Sequence, residues 1–155
     1  MANQLAALSN EIAAAVAAAA PHVVAVHARP RLSSSGLIWR PGVIVTAEHT
    51  IRREEEITVT LPGGGNVPAK LVGTDPATDI ALLKIDAGQA LPTVPLGDSD
   101  RIRKGDWAIA VGNPFQFENT LTVGVISAKG RSLNLSEQTR SFENFIQTDA
   151  AINFG

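Results

Sequence analysis

Short runs of β-branched and other apolar residues recur along this chain, separated by turn residues, and this alternation most restricts the folds open to it. Six runs come roughly ten residues apart in the first half; they cover residues 23–28, 36–39, 43–46, 57–61, 67–72 and 80–85. Proline and glycine separate them, as in Pro41-Gly42 and in residues 62–66. Close spacing without intervening helical periodicity indicates an all-β, antiparallel barrel or sandwich rather than a βαβ fold.

The second half carries fewer strand signals. A stretch rich in Pro, Gly and Asp at residues 86–105 predicts a loop that joins the two halves. Strand patterns then return at residues 107–111, 120–127 and 145–148. The polar segment 129–144 is typical of a surface loop. We therefore divide the chain into an N-terminal helix at 1–20, a first β unit at 21–95 and a second β unit at 96–155.

The first twenty residues follow a different period. They are mostly alanine, with apolar residues at helical spacing at Leu5, Leu8, Ile12, Val16 and Ala19. Pro21 disfavours a helical residue before it, so the helix should end near Ala20 and pack on the domain. A secretory signal does not fit, because no Lys or Arg precedes the apolar part and Glu11 interrupts it.

Composition excludes several classes of function. The chain has 13 basic and 15 acidic residues and a net charge of −2, so no nucleic-acid partner is expected. It has no cysteine, which removes disulfides, thiolate metal sites and cysteine nucleophiles. No apolar run reaches the roughly 18 residues of a membrane span. His, Asp and Glu do not cluster at metal-ligand spacing, and we expect neither a metal nor a cofactor.

Three histidines are candidates for proton chemistry. His22 follows the helix, His27 lies within a predicted strand, and neither has a partner that the sequence reveals. His49 ends a strand that runs into a turn of small residues, where a rigid strand end can hold an imidazole and a loop can expose it.

Asp79 is the acidic candidate. It stands directly before the apolar run 80–85, where a partly buried carboxylate needs a partner. Such a residue either caps backbone N–H groups in a turn or orients a histidine ring. Spacing along the chain does not by itself pair His49 with Asp79.

Several segments in a fixed order resemble the protease domain of the HtrA/DegP family, trypsin-like serine endopeptidases with two β-barrels. The resemblance covers roughly residues 20–155. The stretches around His49 and Asp79 are similar to those around the family's catalytic histidine and aspartate. Further matches are Leu96-Gly97-Asp98-Ser99-Asp100, Gly105-Asp106-Trp107, Gly112-Asn113-Pro114-Phe115, the run 123–128, and the run 145–153 that leads to the family's nucleophile.

The resemblance implies roles for three residues. His49 would be the general base, Asp79 would orient it, and the backbone N–H of Gly155 would help to form the oxyanion hole. In the family the next two positions are Asn and the nucleophilic Ser, and the sequence ends at Gly155. Thr50 stands where Val is usual and Phe154 where Pro is common. The later serines lie in no glycine-flanked turn of the nucleophile type; they are Ser99, Ser127, Ser132, Ser136 and Ser141.

These observations predict a trypsin-like antiparallel double β-barrel, with the first barrel complete and the second only partly present. The function implied is proteolysis of unfolded polypeptides, commonly in the bacterial periplasm or envelope. We expect the chain alone, without the nucleophile or a PDZ domain, to be inactive and to form a homo-oligomer that covers its open edges. The alternative is a non-catalytic scaffold, or an engineered fragment, that oligomerises or binds extended peptides by strand addition.

Overall fold

The computed structural model describes residues 2–30, 32–113, 120–134 and 141–152. Within them, helix α1 (Ala2–Ala19) precedes nine strands: β1 (Val23–His27), β2 (Ser34–Arg40), β3 (Val43–Ala47), β4 (Ile57–Thr60), β5 (Asn66–Asp75), β6 (Ile80–Ile85), β7 (Trp107–Gly112), β8 (Thr120–Asn134) and β9 (Ser141–Thr148). Three short 3₁₀ turns lie at Ala20–His22, Glu48–Thr50 and Ser99–Arg101. The predicted all-β class and all nine strand positions are confirmed.

Strands β1 to β6 form a closed antiparallel barrel in the order β1-β2-β3-β6-β5-β4. Side chains alternate along the strands, so that in β6 Ala81, Leu83 and Ile85 point inward and are buried. Ten residues form the core: Val24, Val26, Ala28, Ile38, Ile44, Ile57, Val59, Leu61, Leu83 and Ile85. Burying one such valine, leucine or isoleucine contributes about 1.5–3 kcal/mol, and this core therefore carries most of the barrel's stability.

Gly36 in β2 faces closely packed side chains of the barrel interior. A Cβ atom there would lie 2.7 Å from Cγ2 of Ile44 and 2.9 Å from Cγ2 of Val26. Real Cβ atoms do not approach other heavy atoms so closely, and the position therefore requires glycine.

Strands β7, β8 and β9 form a separate antiparallel sheet in that order. Its apolar residues Ile109, Val111, Val123 and Val125 are half-buried, and Ile146 is 40% exposed. An open half-barrel would leave all five facing water, and four of them are more covered than that. Part of the cover comes from the barrel, because β7 packs against β1. Consequently β1 is buried on both faces, including the outward-facing Val23 and Ala25.

The predicted loop at 129–144 is wrong in part. Residues 129–134 continue β8, and residues 141–144 open β9, so the two strands form a long hairpin. The remainder of that segment, 135–140, lies outside the described residues. Residues 129–132 and 144 are exposed, so no buried face gives them the alternating apolar pattern of a strand.

Helix α1 ends at Ala19 and passes into the 3₁₀ turn that holds Pro21, as the proline predicts. Its predicted apolar stripe is half-buried at Leu8, Ile12 and Val16, whereas Leu5 is 71% exposed. The helix contacts the rest of the chain mainly near its C-terminal end, at β7. Among the described residues, no helix combines the length and hydropathy of a membrane span.

Candidate active site

Strand pairing brings the two candidate residues together. The 3₁₀ turn Glu48–Thr50, which we name the histidine turn, follows β3, and Asp79 directly precedes β6. Because β3 and β6 are antiparallel neighbours with Ala47 opposite Ile80, the end of one strand meets the start of the other. Residues that are 30 apart in sequence thus share one corner of the barrel, a proximity that sequence spacing did not reveal.

His49 and Asp79 are joined by two hydrogen bonds. The ring atom Nδ1 of His49 lies 2.6 Å from Oδ2 of Asp79, and the backbone N–H of His49 donates to Oδ1 at 2.8 Å. In addition, the N–H of Glu48 donates to the carbonyl of Asp79 at 3.0 Å. One carboxylate therefore fixes both the ring and the backbone of the histidine. With Nδ1–H donating to it, the neutral ring presents an unprotonated Nε2.

Asp79 adopts an unusual backbone conformation, with φ of +58°. Few residues other than glycine occupy the left-handed region, although Asp and Asn tolerate it better than most. Such a conformation persists where the surrounding structure over-determines it, which is common at functional sites. Here the hydrogen bonds between Asp79 and the histidine turn hold the backbone of Asp79 in this conformation.

The second ring nitrogen of His49 has a different environment. Nε2 is buried, and it has no hydrogen-bond partner among the described residues. The side chain as a whole is 35% exposed, and that of Asp79 is 23% exposed. A buried ring nitrogen normally finds a partner, so this one is available to a group outside the described part of the chain.

Thr50 holds the histidine turn from behind. It is fully buried, and its hydroxyl donates to the carbonyl of Ala47 at 2.7 Å. The same oxygen lies 3.1 Å from Oγ of Ser34 in β2. The sequence showed Thr50 only as a departure from the usual valine and did not reveal this contact, since only the fold places Ser34 beside it.

His49 opens onto a cleft of about 330 Å³ between the barrel and the second sheet. The barrel contributes Ser35, Ala47 and His49. The other side comes from residues 110–112, Thr120, Thr122, Ala151 and Ile152. The lining is mostly apolar and uncharged, which suits a polypeptide main chain better than a charged ligand.

The remaining predicted candidates lie elsewhere or outside the described residues. His22 makes a contact of 3.2 Å from Nδ1 to the carbonyl of Pro92. His27 places Nε2 2.8 Å from the hydroxyl of Thr60, which donates to Oδ1 of Asn66. Burial, and then the charge of Arg53, lower the pKa of His27. Neither histidine joins the site with His49, and Gly155 is outside the described residues.

No group of three or more His, Asp or Glu side chains in the described ranges could hold a metal ion. A histidine whose Nδ1–H is held by a carboxylate has a free lone pair on Nε2. That nitrogen can accept a proton from a hydroxyl and return it later. The arrangement is thus suited to general acid–base chemistry.

Known proteins resemble this chain in both sequence and structure. The sequence profile of the trypsin-like peptidase domain matches residues 34–155. A protein of Pseudomonas fulva named "Probable periplasmic serine endoprotease DegP-like" is 47% identical over 124 residues, which cover 80% of this chain and 25% of that protein. A protein of the same name from Chlamydia pneumoniae is 51% identical over 120 residues, covering 77% of this chain and 24% of that protein.

A solved structure described as "HtrA-type protease AlgW with tripeptide" superposes with a TM-score of 0.79 at 45% identity, covering 91% of this chain and 46% of that one. The chain spans about a quarter of the length of the curated relatives it matches. The profile nevertheless covers well over half of the chain. The chain therefore belongs to the family of trypsin-like peptidases and is homologous to its HtrA/DegP serine endoproteases.

Proposed function

We propose that these 155 residues carry the base half of a serine endopeptidase site of the HtrA/DegP type, with His49 as general base and Asp79 as the residue that orients it. The single observation that carries the proposal is the state of His49. Its Nδ1 is bonded to a carboxylate, and its Nε2 is buried without a partner among the described residues. This is what a histidine needs to accept a proton from a nucleophile.

The reaction would proceed by acyl transfer. Nε2 of His49 takes the proton of a serine hydroxyl as its oxygen attacks the substrate carbonyl, and the resulting imidazolium gives the proton to the leaving amine. Asp79 keeps the ring in the required tautomer and stabilises the imidazolium. Water then releases the acyl group with the same histidine as base. Backbone N–H groups, including that of Gly155, would hold the oxyanion.

The nucleophile is proposed to be the serine that follows the Gly–Asn positions in the HtrA/DegP motif, after Gly155. Of the other serines that follow Asp79, Ser127 and Ser132 lie in β8, Ser141 in β9 and Ser99 in a 3₁₀ turn; Ser136 is outside the described residues. None of the four described serines bonds Nε2 of His49. A polypeptide of these 155 residues alone would accordingly not hydrolyse peptides.

The substrate class follows from the cleft and from the relatives. Unfolded or extended polypeptide fits a mostly apolar cleft beside the histidine, and solved HtrA-type neighbours are described with a tripeptide and with a decapeptide. We further propose a periplasmic or envelope location, since the relatives are named periplasmic endoproteases.

The test uses two polypeptides. One is the 155-residue chain, and the other is a chimera in which residues 1–152 continue into the rest of the protease domain of the Pseudomonas fulva relative. A fluorophosphonate probe should label one serine of the chimera and none of the shorter chain. The variant D79N should slow labelling by about 10³–10⁴-fold and H49A by at least as much, because the hydroxyl loses its proton acceptor.

The matched control is H27Q, which changes a histidine on the same barrel that does not touch the cleft. It should label at the rate of the parent chimera. Equal labelling of the H49A chimera and its parent would contradict the proposal, as would labelling of the 155-residue chain that depends on His49.

A second candidate function rests on the second sheet. In the described residues, β7 and β9 each have one strand neighbour, so each leaves an edge that can pair with another strand. A non-catalytic protein could add an extended peptide or a second copy there. Sedimentation would report a homo-oligomer, and amide NMR shifts confined to β7 or β9 on adding an uncleaved peptide would report strand addition.

A further inference from the structure

Three consecutive serines between the barrel and the cleft make contacts in two directions. Ser33 and Ser34 are buried, with exposures of 0% and 1%, and Ser35 lines the cleft. Buried hydroxyls need hydrogen-bond partners, so the partners of these serines show which parts of the fold they connect. Because side chains alternate along an extended chain, Ser34 points away from the side that Ser33 and Ser35 share.

Ser34 faces the histidine turn. Its hydroxyl lies 3.1 Å from that of Thr50, which in turn donates to the carbonyl of Ala47 at 2.7 Å. The turn is therefore held on both sides, by Asp79 in front and by the hydroxyl pair behind. The Asp79 side makes the contact to the ring, and the Ser34 side fixes the backbone from which the ring projects.

Ser33 and Ser35 face the second sheet. The Ser33 hydroxyl donates to the carbonyl of Asn113 at 2.9 Å, and the N–H of Asn113 donates to Oγ of Ser35, also at 2.9 Å. Asn113 is 5% exposed and directly follows Gly112, which lines the cleft. Two serines thus bond both backbone groups of a single residue at the end of β7.

We propose that the segment Ser33-Ser34-Ser35 is a positioning element for the cleft, which fixes the histidine turn through Ser34 and the second sheet through Ser33 and Ser35. A shift at the segment would move the base relative to the opposite wall, and an error of about 1 Å in such a geometry can cost a hundredfold in rate. The inference rests on the proposed function of His49, but its test requires no catalysis.

The first test measures native-state hydrogen exchange of the 155-residue chain. The His49 amide, which donates to Asp79, reports opening of the histidine turn, and the Leu83 amide in the barrel core reports global unfolding. S34A and T50V should each speed exchange at His49 by about tenfold relative to Leu83. T50S, which keeps the hydroxyl, should restore the parent ratio.

The double variant S34A/T50V sharpens this test. The double variant loses the contact between the two hydroxyls only once, whereas each single variant loses it separately, so its effect should be smaller than the two single effects combined. An unchanged ratio of His49 to Leu83 exchange in both single variants would overturn this half of the proposal. A merely structural role would speed both amides equally.

The second test measures the relative orientation of barrel and sheet by residual dipolar couplings. Couplings from β2–β6 and from β7–β8 should fit one alignment tensor in the parent chain and require two in S33A/S35A. The control S132A, at an exposed site on β8, should fit one. A single tensor for S33A/S35A, or two for the parent, would overturn the second half. Failure of chimera labelling would refute the proposed function without changing either readout.

Discussion

The barrel and the three-stranded sheet are both built from strands with many apolar residues, but they bury those residues to different extents. In the barrel every strand has two neighbours, and ten apolar residues with exposures of 6% or less share one interior. In the described part of the sheet, Ile126 is the buried large apolar residue, and the others are half-buried or exposed. The sequence pattern determines where strands form, but closure of the sheet into a barrel determines how much each apolar side chain contributes to stability.

The largest contrast should come from deleting side-chain volume in the two regions. Ile44 is fully buried in the barrel, whereas Ile109 in β7 is half-buried. I44A should lower the free energy of unfolding by about 2–5 kcal/mol, because it leaves a cavity in a closed core. I109A should cost less, about 1 kcal/mol, because solvent and neighbours can fill the space. Urea unfolding of the two variants measures both.

Two tryptophans allow the regions to be followed separately in that experiment. Trp39 lies in β2 and Trp107 in β7. Single-tryptophan versions, W107F and W39F, report the barrel and the sheet respectively. Equal losses for I44A and I109A at both reporters would refute the contrast and show that the sheet is as tightly packed as the barrel.

Two glycines test close approach in each region, with a smaller expected effect. G36A forces a methyl group against Ile44 and Val26 and should destabilise the whole barrel by about 1–3 kcal/mol. G124A would place its Cβ against the backbone N of Ala150 and the carboxylate of Asp149, both too close for any real contact. Because Asp149 accepts the N–H of Val125, this change should detach residues 149–152 locally.

Gly73 in β5 is the control, because a Cβ there meets nothing within 4 Å. G73A should leave both readouts near the parent values. Chemical shifts of Val125 distinguish local detachment from global loss. A G124A variant that unfolds the barrel at Trp39 as strongly as G36A would show that the two regions are one cooperative unit.

The smallest expected effects concern the dependence of stability on pH. Burial and Arg53 lower the pKa of His27, so the unfolded chain takes up a proton first and the barrel loses stability as pH falls through about 6.5. In the second unit, hydrogen bonds from Arg103 lower the pKa of the exposed Asp106, so its contribution is present above about pH 3.8 and is lost below. Titration of stability from pH 8 to 3 measures both.

H27Q should remove the slope near pH 6.5 and leave the acidic one. D106N should leave the slope near pH 6.5 and reduce the acidic slope without removing it, because hydrogen bonds from Thr78 and Ala77 also lower the pKa of Asp75 in the barrel. The Asp106 effect should also shrink in high salt, since that pair is exposed and screened. A slope near pH 6.5 that persists in H27Q would mean that another group titrates there.

The sequence predicted the strand positions because alternating apolar residues mark a half-buried strand directly. It failed at the ends of β8 and β9, where residues 129–132 and 144 are exposed and carry no alternating apolar pattern. It identified His49 and Asp79 separately, from a strand end and from an acid beside an apolar run. Their contact depends on the pairing of β3 with β6, which no local pattern encodes.

The hydroxyl contacts of Ser33, Ser34 and Thr50 were missed for a related reason. Serine and threonine have no periodic signature, and the contacts of Ser34 with Thr50 and of Ser33 with Asn113 join residues that are 16 and 80 apart in sequence. The partners of His22 and His27 were equally out of reach, since each is supplied by a distant segment of the chain. The local sequence can identify a candidate side chain, but only the folded structure shows which residues it contacts.

The left-handed backbone conformation of Asp79 limits which substitutions this position can accept during evolution. Most replacements would remove the carboxylate and also strain the corner where β6 begins, so they would weaken the protein as well as its chemistry. Asparagine tolerates the same conformation and is reached from aspartate by a single nucleotide change. A lineage that loses the proposed catalytic function but keeps the barrel can therefore replace Asp79 by asparagine at little cost in stability.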